Sequence, residues 1–182
     1  MGILDLWLPI LVSAAACWVI SAVIWTLLKY HNSDYMRTSD EEAVRAALKG
    51  NAPGFYLLPY CTDPAELKDP EVKQKYEDGP LAYITMVPNG IPAMGGRLVA
   101  QIFFFLLVGV TCAYFVTRTL AADADYLTVF RVAGTVTFVA NSFAYIPESI
   151  WFGRPWKMTL KNFVDALIYS LVTGGIFGWL AA

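Results

Sequence analysis

Apolar residues in this chain are gathered into four long runs, and the stretches between them carry nearly all of its charge. The run from Leu6 to Leu28 contains no charged residue, and the run from Leu98 to Thr117 is bracketed by Arg97 and Arg118. A third, Tyr126 to Ile150, carries Arg131 near one end and Pro147 and Glu148 near the other, while a fourth, Thr159 to Leu180, includes Lys161 and Asp165. Crossing ~30 Å of hydrocarbon at ~1.5 Å of rise per residue takes about 20 residues, and each run supplies them. Without water to satisfy the backbone, each span must be helical. The pattern predicts an all-α membrane protein: a bundle of four transmembrane helices at 6–28, 98–117, 126–150 and 159–180, with an insertion over 29–97 between the first two.

The insertion is too long for a plain connection and carries order signals of its own. Ser39 and Glu42 form an S-x-x-E capping box ahead of Ala43 to Lys49, with Gly50 as the stop and Glu41 and Arg45 paired at i, i+4. Asp63-Pro64 reads as an N-cap followed by a first helical proline, and a second short helix is expected after Asp69-Pro70, with a stop near Gly79. Two β-prone runs, Phe55 to Cys61 and Leu81 to Val87, flank this helical stretch and can pair, Pro59 marking the first as an edge strand. The expectation is a small α+β cytoplasmic domain that leans on the membrane domain or on a partner, because so short a segment encloses little core.

Charge then sets the orientation. Of the 13 Lys and Arg residues, eight lie between Lys29 and Arg97, and Arg154, Lys157 and Lys161 follow the third span. The opposite side holds Arg118 alone, and Arg131 lies within a span. Positive residues mark the cytoplasmic side, so the first and third loops are expected in the cytoplasm and both termini outside. Trp7 and Trp179 near the outer ends, and Trp25, Trp151 and Trp156 near the inner ones, fit an interfacial belt, leaving Trp18 in mid-membrane.

Composition narrows the class further. Charged residues make up 15% of the chain, against about a quarter in soluble domains, which makes the lipid bilayer its solvent. The net charge of −2 offers no basic field for nucleic acid. Cys17, Cys61 and Cys112 form no CxxC pair and support neither a disulfide framework nor a zinc site. Met1 to Asp5 lacks the basic residues of a cleaved signal, so the first run is expected to stay as a helix.

Ionisable and amide groups inside spans are the candidates for function. Asp165 lies about 9 Å in from the cytoplasmic start of the fourth span. Asn141 sits at similar depth in the third, and Gln101 about one turn into the second. Together they form a candidate binding cluster open to the cytoplasm. Against this stands a structural reading, in which Asp165 sits near a helix N-terminus with Lys161 as its partner four residues earlier. Arg131, close to the outer boundary, is expected to snorkel and to pair with Asp123 or Asp125. Ser170, Gly174 and Gly178 form a small-residue ladder that fits a helix of the same chain or a second subunit. Trp151, Arg154 and Trp156 mark a docking edge or a headgroup anchor in the third loop. Cys17 and Cys112 read as packing residues, and Cys61, in the insertion, as a candidate reactive thiol. The single histidine, His31, could pair with Asp34 at the inner interface, but no nucleophile motif accompanies them and no metal-ligand spacing is present. No metal, cofactor or catalytic residue is expected.

Val23-Ile24-Trp25 in the first span, Arg154-Pro155-Trp156, and the small-residue-rich helix from Asp165 to Leu180 resemble small four-helix bacterial membrane proteins to which no activity is assigned. The likeness covers the first and last helices and implies a bacterial inner-membrane setting without implying a reaction. Low intramembrane polarity points first to an accessory or scaffold subunit that works through protein contacts with a partner or as a homo-oligomer. The alternative is a small transporter or channel with an inward-facing polar site around Asp165, Asn141 and Gln101. A third, an interfacial enzyme, would rest on His31, Asp34 and Cys61.

Overall fold

A computed structural model describes residues 2–181. The chain is mostly helical, with four helices long and apolar enough to cross a membrane and one two-stranded sheet among the described residues. The four are Ile3–Leu28, Met94–Thr119, Tyr126–Trp151 and Trp156–Ala181, each of 26 residues. At ~1.5 Å per residue each is about 39 Å long, more than the hydrocarbon alone requires.

Two compact units divide the chain, one formed by residues 1–36 and 93–182 and the other by 37–92. In the first unit, α1 (Trp7–Val23) is preceded by a 3₁₀ turn at Ile3–Leu6 and followed by a π turn at Ile24–Leu28. The insertion contributes α2 (Glu41–Leu48), β1 (Gly54–Leu58), a 3₁₀ turn at Pro64–Lys68, α3 (Pro70–Asp78) and β2 (Ala82–Met86). After it come α4 (Met94–Thr119), α5 (Tyr126–Ser142), α6 (Tyr145–Trp151) and α7 (Trp156–Ala181).

The long helices form a ring in which α1 packs on α4 and α7, and α5 packs on α4 and most extensively on α7. Small residues allow that last approach. A β-carbon on Gly174 would stand 2.8 Å from the Phe130 carbonyl oxygen, and one on Gly178 would stand 2.9 Å from the Tyr126 ring and carbonyl. The small-residue ladder of the fourth span therefore faces α5 of the same chain. Toward the termini, Leu6, Ile10, Val108, Val116, Val129 and Phe177 close the ring with an apolar core. Polar atoms in this region are absorbed locally, as where the Cys112 thiol lies 3.3 Å from the Thr137 hydroxyl and the Cys17 thiol 3.4 Å from that of Thr173. Trp18, expected in mid-membrane, donates its ring N–H to the Leu98 carbonyl at 3.0 Å.

Sequence and structure part company in several places. The third span is a single run in sequence, but its regular helix stops at Ser142 and resumes at Tyr145. Pro147 has no N–H to give, and its ring crowds the carbonyl of Phe143, four residues earlier. The cap of α2 is Asp40, which accepts from the Ala43 amide at 2.9 Å, and not Ser39. Arg45 pairs with Glu42 at 3.0 Å rather than with Glu41. Arg131 makes no ion pair within 4 Å among the described residues. Asp125 is taken up instead by capping α5, its carboxylate accepting from the Thr128 amide at 2.7 Å. That bond, more than the charge of Arg131, holds the Asp125 carboxyl below its usual range.

The insertion follows its turn chemistry closely. Asp63 and Asp69 cap the Pro64 and Pro70 helical starts through bonds of 2.8 Å each, and Gly79 ends α3 at a φ of +65°. β1 and β2 pair antiparallel, from Gly54 opposite Met86 to Leu58 opposite Ala82. No residue of 37–92 is buried among the described residues.

The close approach of α5 and α7 sets a stability prediction. Gly174→Ala should destabilise the protein by about 1–3 kcal/mol, the usual cost of overpacking. Gly95→Ala, where nothing lies within 4 Å of the added carbon, should instead be neutral or stabilising by about 0.5–1 kcal/mol. Thermal unfolding of both variants in one detergent reads the contrast, and equal melting temperatures would contradict the tight crossing.

Candidate functional site

The end of α1 turns back under the bundle through an unusual piece of backbone. The π turn at Ile24–Leu28 points Trp25 toward the chain that follows, and Lys29 takes a left-handed conformation with φ of 52°. This conformation costs a residue with a β-carbon roughly 1–2 kcal/mol. The reversal leads directly into a 3₁₀ turn, Tyr30–Asp34, which carries His31, Ser33 and Asp34. His31 is 2% exposed. Its ring stacks on Trp25 with centroids 4.1 Å apart and planes within 6°, and Tyr30 packs against it at 4.4 Å.

Both ring nitrogens of His31 meet carboxylates. Nδ1 lies 2.8 Å from Asp34 Oδ2, and Nε2 lies 3.0 Å from Oδ2 of Asp165, on α7. The remaining oxygen of Asp34 accepts from Lys161, which also donates to the Tyr30 carbonyl and the Ser33 hydroxyl at 2.8 Å each. All three ammonium protons are thus engaged, and the 30–34 turn is clamped to α7. The sequence spacing pairs Lys161 with Asp165, one helical turn away. It serves Asp34 instead, and His31 takes the place beside Asp165.

Proton bookkeeping makes this network unusual. Each nitrogen-to-carboxylate contact needs one proton, and two arrangements supply them: an imidazolium between two carboxylates, or a neutral imidazole beside one carboxylic acid. With Lys161 included, both arrangements carry no net charge, which is the condition for removing such groups from water. The second differs from the first by one proton moved from the ring to Asp165, with Asp34 staying ionised against Lys161, and the total is unchanged.

Asp165 faces in two directions. Its Oδ2 meets His31, while its Oδ1 is buried and has no hydrogen-bond partner among the described residues. The residue lines a cavity of about 620 Å³ within the helical unit. Gln101 from α4, Asn141 from α5 and Asn162 from α7 share its wall, with Ser21 and Trp25 from the first helix and Tyr145 from α6. The three polar residues singled out in the sequence, Asp165, Asn141 and Gln101, therefore line one cavity. Asn141 is tied to its own helix by a 2.8 Å bond to the Thr137 carbonyl, so its amide donor is partly spent. Asn162 is 5% exposed with its side-chain N–H₂ unpartnered among the described residues.

Of the third-loop candidates only Arg154 belongs to the cavity. Gly153, at φ of +67°, bends the chain after α6 and brings Arg154 over the Tyr145 ring, 4.9 Å from its centroid. Its Nε is buried and unpartnered. Glu148, exposed, stands at the mouth, while Trp151 and Trp156 are 71% and 60% exposed and point away from the site. Gly174 and Gly178 lie in the α5 and α7 crossing.

Sequence reasoning paired His31 with Asp34 but did not bring either to Asp165, 134 residues from His31 in the chain. It also passed over Asn162 and Tyr145. The available signal was depth: His31 follows the C-terminal end of the first apolar run and Lys161 and Asp165 lie in the opening turns of the fourth, so all lie at one level. Among the described residues no group of three or more His, Cys, Asp and Glu side chains is placed to hold a metal ion. No protein-family model matches the sequence, and comparisons with curated proteins and with solved structures gave no match.

Asp34 lies outside the spans, and its acidity is a measure of the clamp. Burial would raise its pKa, but hydrogen bonds from Lys161 and His31 and their positive charge outweigh it and hold the carboxyl below the usual range. With the folded value depressed, the stability Asp34 contributes is complete above the ordinary carboxylate pKa. It is lost as the pH falls through the folded value. Asp34→Asn should cost about 3 kcal/mol near neutral pH, as for a broken buried ion pair. The gap in melting temperature between wild type and variant should narrow below pH ~4. A gap unchanged down to pH 3 would exclude the clamp.

Proposed function

We propose that this chain is a small membrane transport protein whose polar cavity binds a polar solute and whose buried network exchanges a proton with it. The observation that carries the reading is the double role of Asp165, which ends the chain of protonatable groups through Oδ2 and also lines the cavity, its Oδ1 buried without a hydrogen-bond partner among the described residues. The network is neutral when it holds two protons and carries −1 when it holds one. A positive group arriving at Oδ1 replaces the lost proton, and its departure calls the proton back. Binding and proton release are then linked, which is the requirement for coupled movement. The cavity volume falls within the range of small-molecule sites.

Reconstitution in liposomes containing a pH-sensitive dye tests this. A panel of amino acids, polyamines, sugars and nucleosides should include at least one class that moves protons through the wild type. Asp165→Asn and His31→Gln should abolish that movement while eluting as folded protein. Wild-type vesicles indistinguishable from empty ones across the panel would defeat the transport reading. Another chain co-purifying at fixed stoichiometry would in that case turn the assignment to an accessory or scaffold subunit.

The same proposal places the cavity mouth, the insertion and the third loop on the cytoplasmic side of a bacterial inner membrane, with both termini outside, on the strength of the Lys and Arg distribution. Cys61 is a built-in reporter, since Cys17 and Cys112 are buried and Cys61 is partly exposed. A membrane-impermeant maleimide should label it in inverted vesicles and leave it unlabelled in right-side-out ones. The opposite pattern would invert the topology.

A further inference from the structure

The cavity presents more than the acid that couples to protons, and its polar inventory specifies the chemistry of what it takes. We infer that its ligand is a short zwitterion, a primary ammonium joined to a carboxylate or phosphate, with the ammonium at Asp165 and the anionic group at Arg154. This inference rests on reading the cavity as a solute site and goes further by fixing the charge pattern of the solute.

Three buried polar atoms without partners among the described residues belong to residues that line the cavity: Asp165 Oδ1, Asn162 Nδ2 and Arg154 Nε. One is a charged acceptor, one a neutral donor and one a charged donor. Asp165 and Asn162 are each 5% exposed, so their unmet atoms cannot turn to bulk water. Neither Arg154 nor Glu148 takes part in an ion pair within 4 Å among the described residues, and Arg154 is held by its stacking on Tyr145.

Solutes of a single charge fit this set poorly. A simple anion would satisfy Arg154 but meet Asp165 inside and Glu148 at the mouth. A simple cation would satisfy the acids and leave the guanidinium Nε and the Asn162 amide unmet. An apolar solute would leave all three atoms buried without a bond, the costly case for any polar group. A zwitterion supplies a donor to Asp165 and acceptors to Arg154 and Asn162 together. Trp25, Phe104 and Tyr169 line the cavity as well and give its carbon frame an apolar wall.

The same two charges occur on free amino acids and on the phosphoethanolamine headgroup of a lipid. The purified full-length protein would be titrated in detergent with the common L-amino acids and with O-phosphoethanolamine, following the melting temperature and the heat of binding. It would also be melted in nanodiscs of phosphatidylcholine with and without phosphatidylethanolamine.

At least one zwitterion should bind saturably, and its N-acetyl and its carboxamide or ester derivatives, which each keep one charge, should bind at least tenfold more weakly. Arg154→Gln should remove the preference for the free acid over the carboxamide, and Glu148→Gln, at the exposed mouth, should weaken binding less than Asp165→Asn. Binding of amino acids identifies a free solute. Binding confined to O-phosphoethanolamine, with stabilisation by phosphatidylethanolamine, identifies a lipid headgroup. Capped derivatives that bind as well as the parent, or no saturable binding by any zwitterion, would overturn the inference, and neither outcome depends on a variant folding. Zwitterion binding without flux would remove the transport reading alone. Flux of a singly charged solute without zwitterion binding would remove this inference alone.

Discussion

An ionised carboxylate within a membrane-spanning helix needs either a counter-charge or a proton, and the contact of Asp165 with His31 supplies both possibilities. That requirement explains the irregular backbone around it. The π turn, the left-handed Lys29 and the short 3₁₀ turn together bring His31 back beneath the bundle, at some conformational cost. What holds them is the Lys161 ammonium, whose three protons are all taken by the Tyr30 to Asp34 turn. With the turn clamped, His31 stacked on Trp25 has Asp34 on one side and Asp165 on the other.

The two ends of the helical unit are built to opposite rules. Toward the termini, glycines on α7 let it meet α5 at backbone contact, and apolar side chains fill what remains. Toward the His31 turn, the Pro147 discontinuity and the Gly153 bend stop the third helix from packing as a regular rod, and side chains from every long helix face a cavity. Dense packing makes the first end a rigid anchor. Open polar space at the second is where a ligand can be met with directed bonds, and three of the residues that line it, Asp165, Asn162 and Arg154, each keep a buried polar atom without a partner among the described residues.

Much of the fold was legible in the sequence because its causes are local. Helices long and apolar enough to cross a membrane follow from four apolar runs, since lipid demands that each backbone satisfy itself. The Asp63 and Asp69 caps and the pairing of the two β-prone runs follow from side chains acting on neighbouring backbone. Where several local solutions compete, the sequence underdetermined the result. Ser39 and Asp40 are both cap residues and Glu41 and Glu42 are both within reach of Arg45, so three-dimensional geometry chose between them.

By itself, then, the sequence determined that this chain has four helices long and apolar enough to cross a membrane, and which polar groups within them call for explanation. Asp165, Asn141 and Gln101 were visible as such because ionisable and amide groups at that depth are rare and costly. Only the tertiary structure decided that these three share a wall, that Asp165 is joined to His31 rather than to Lys161, and that Arg154 turns inward while Trp151 and Trp156 turn out. The physical reason is range: caps, spans and turns arise from interactions within a few residues, whereas the buried network joins groups more than a hundred residues apart. No periodicity records such a meeting, which exists only when four helices and one reversed turn bring the groups to the same depth.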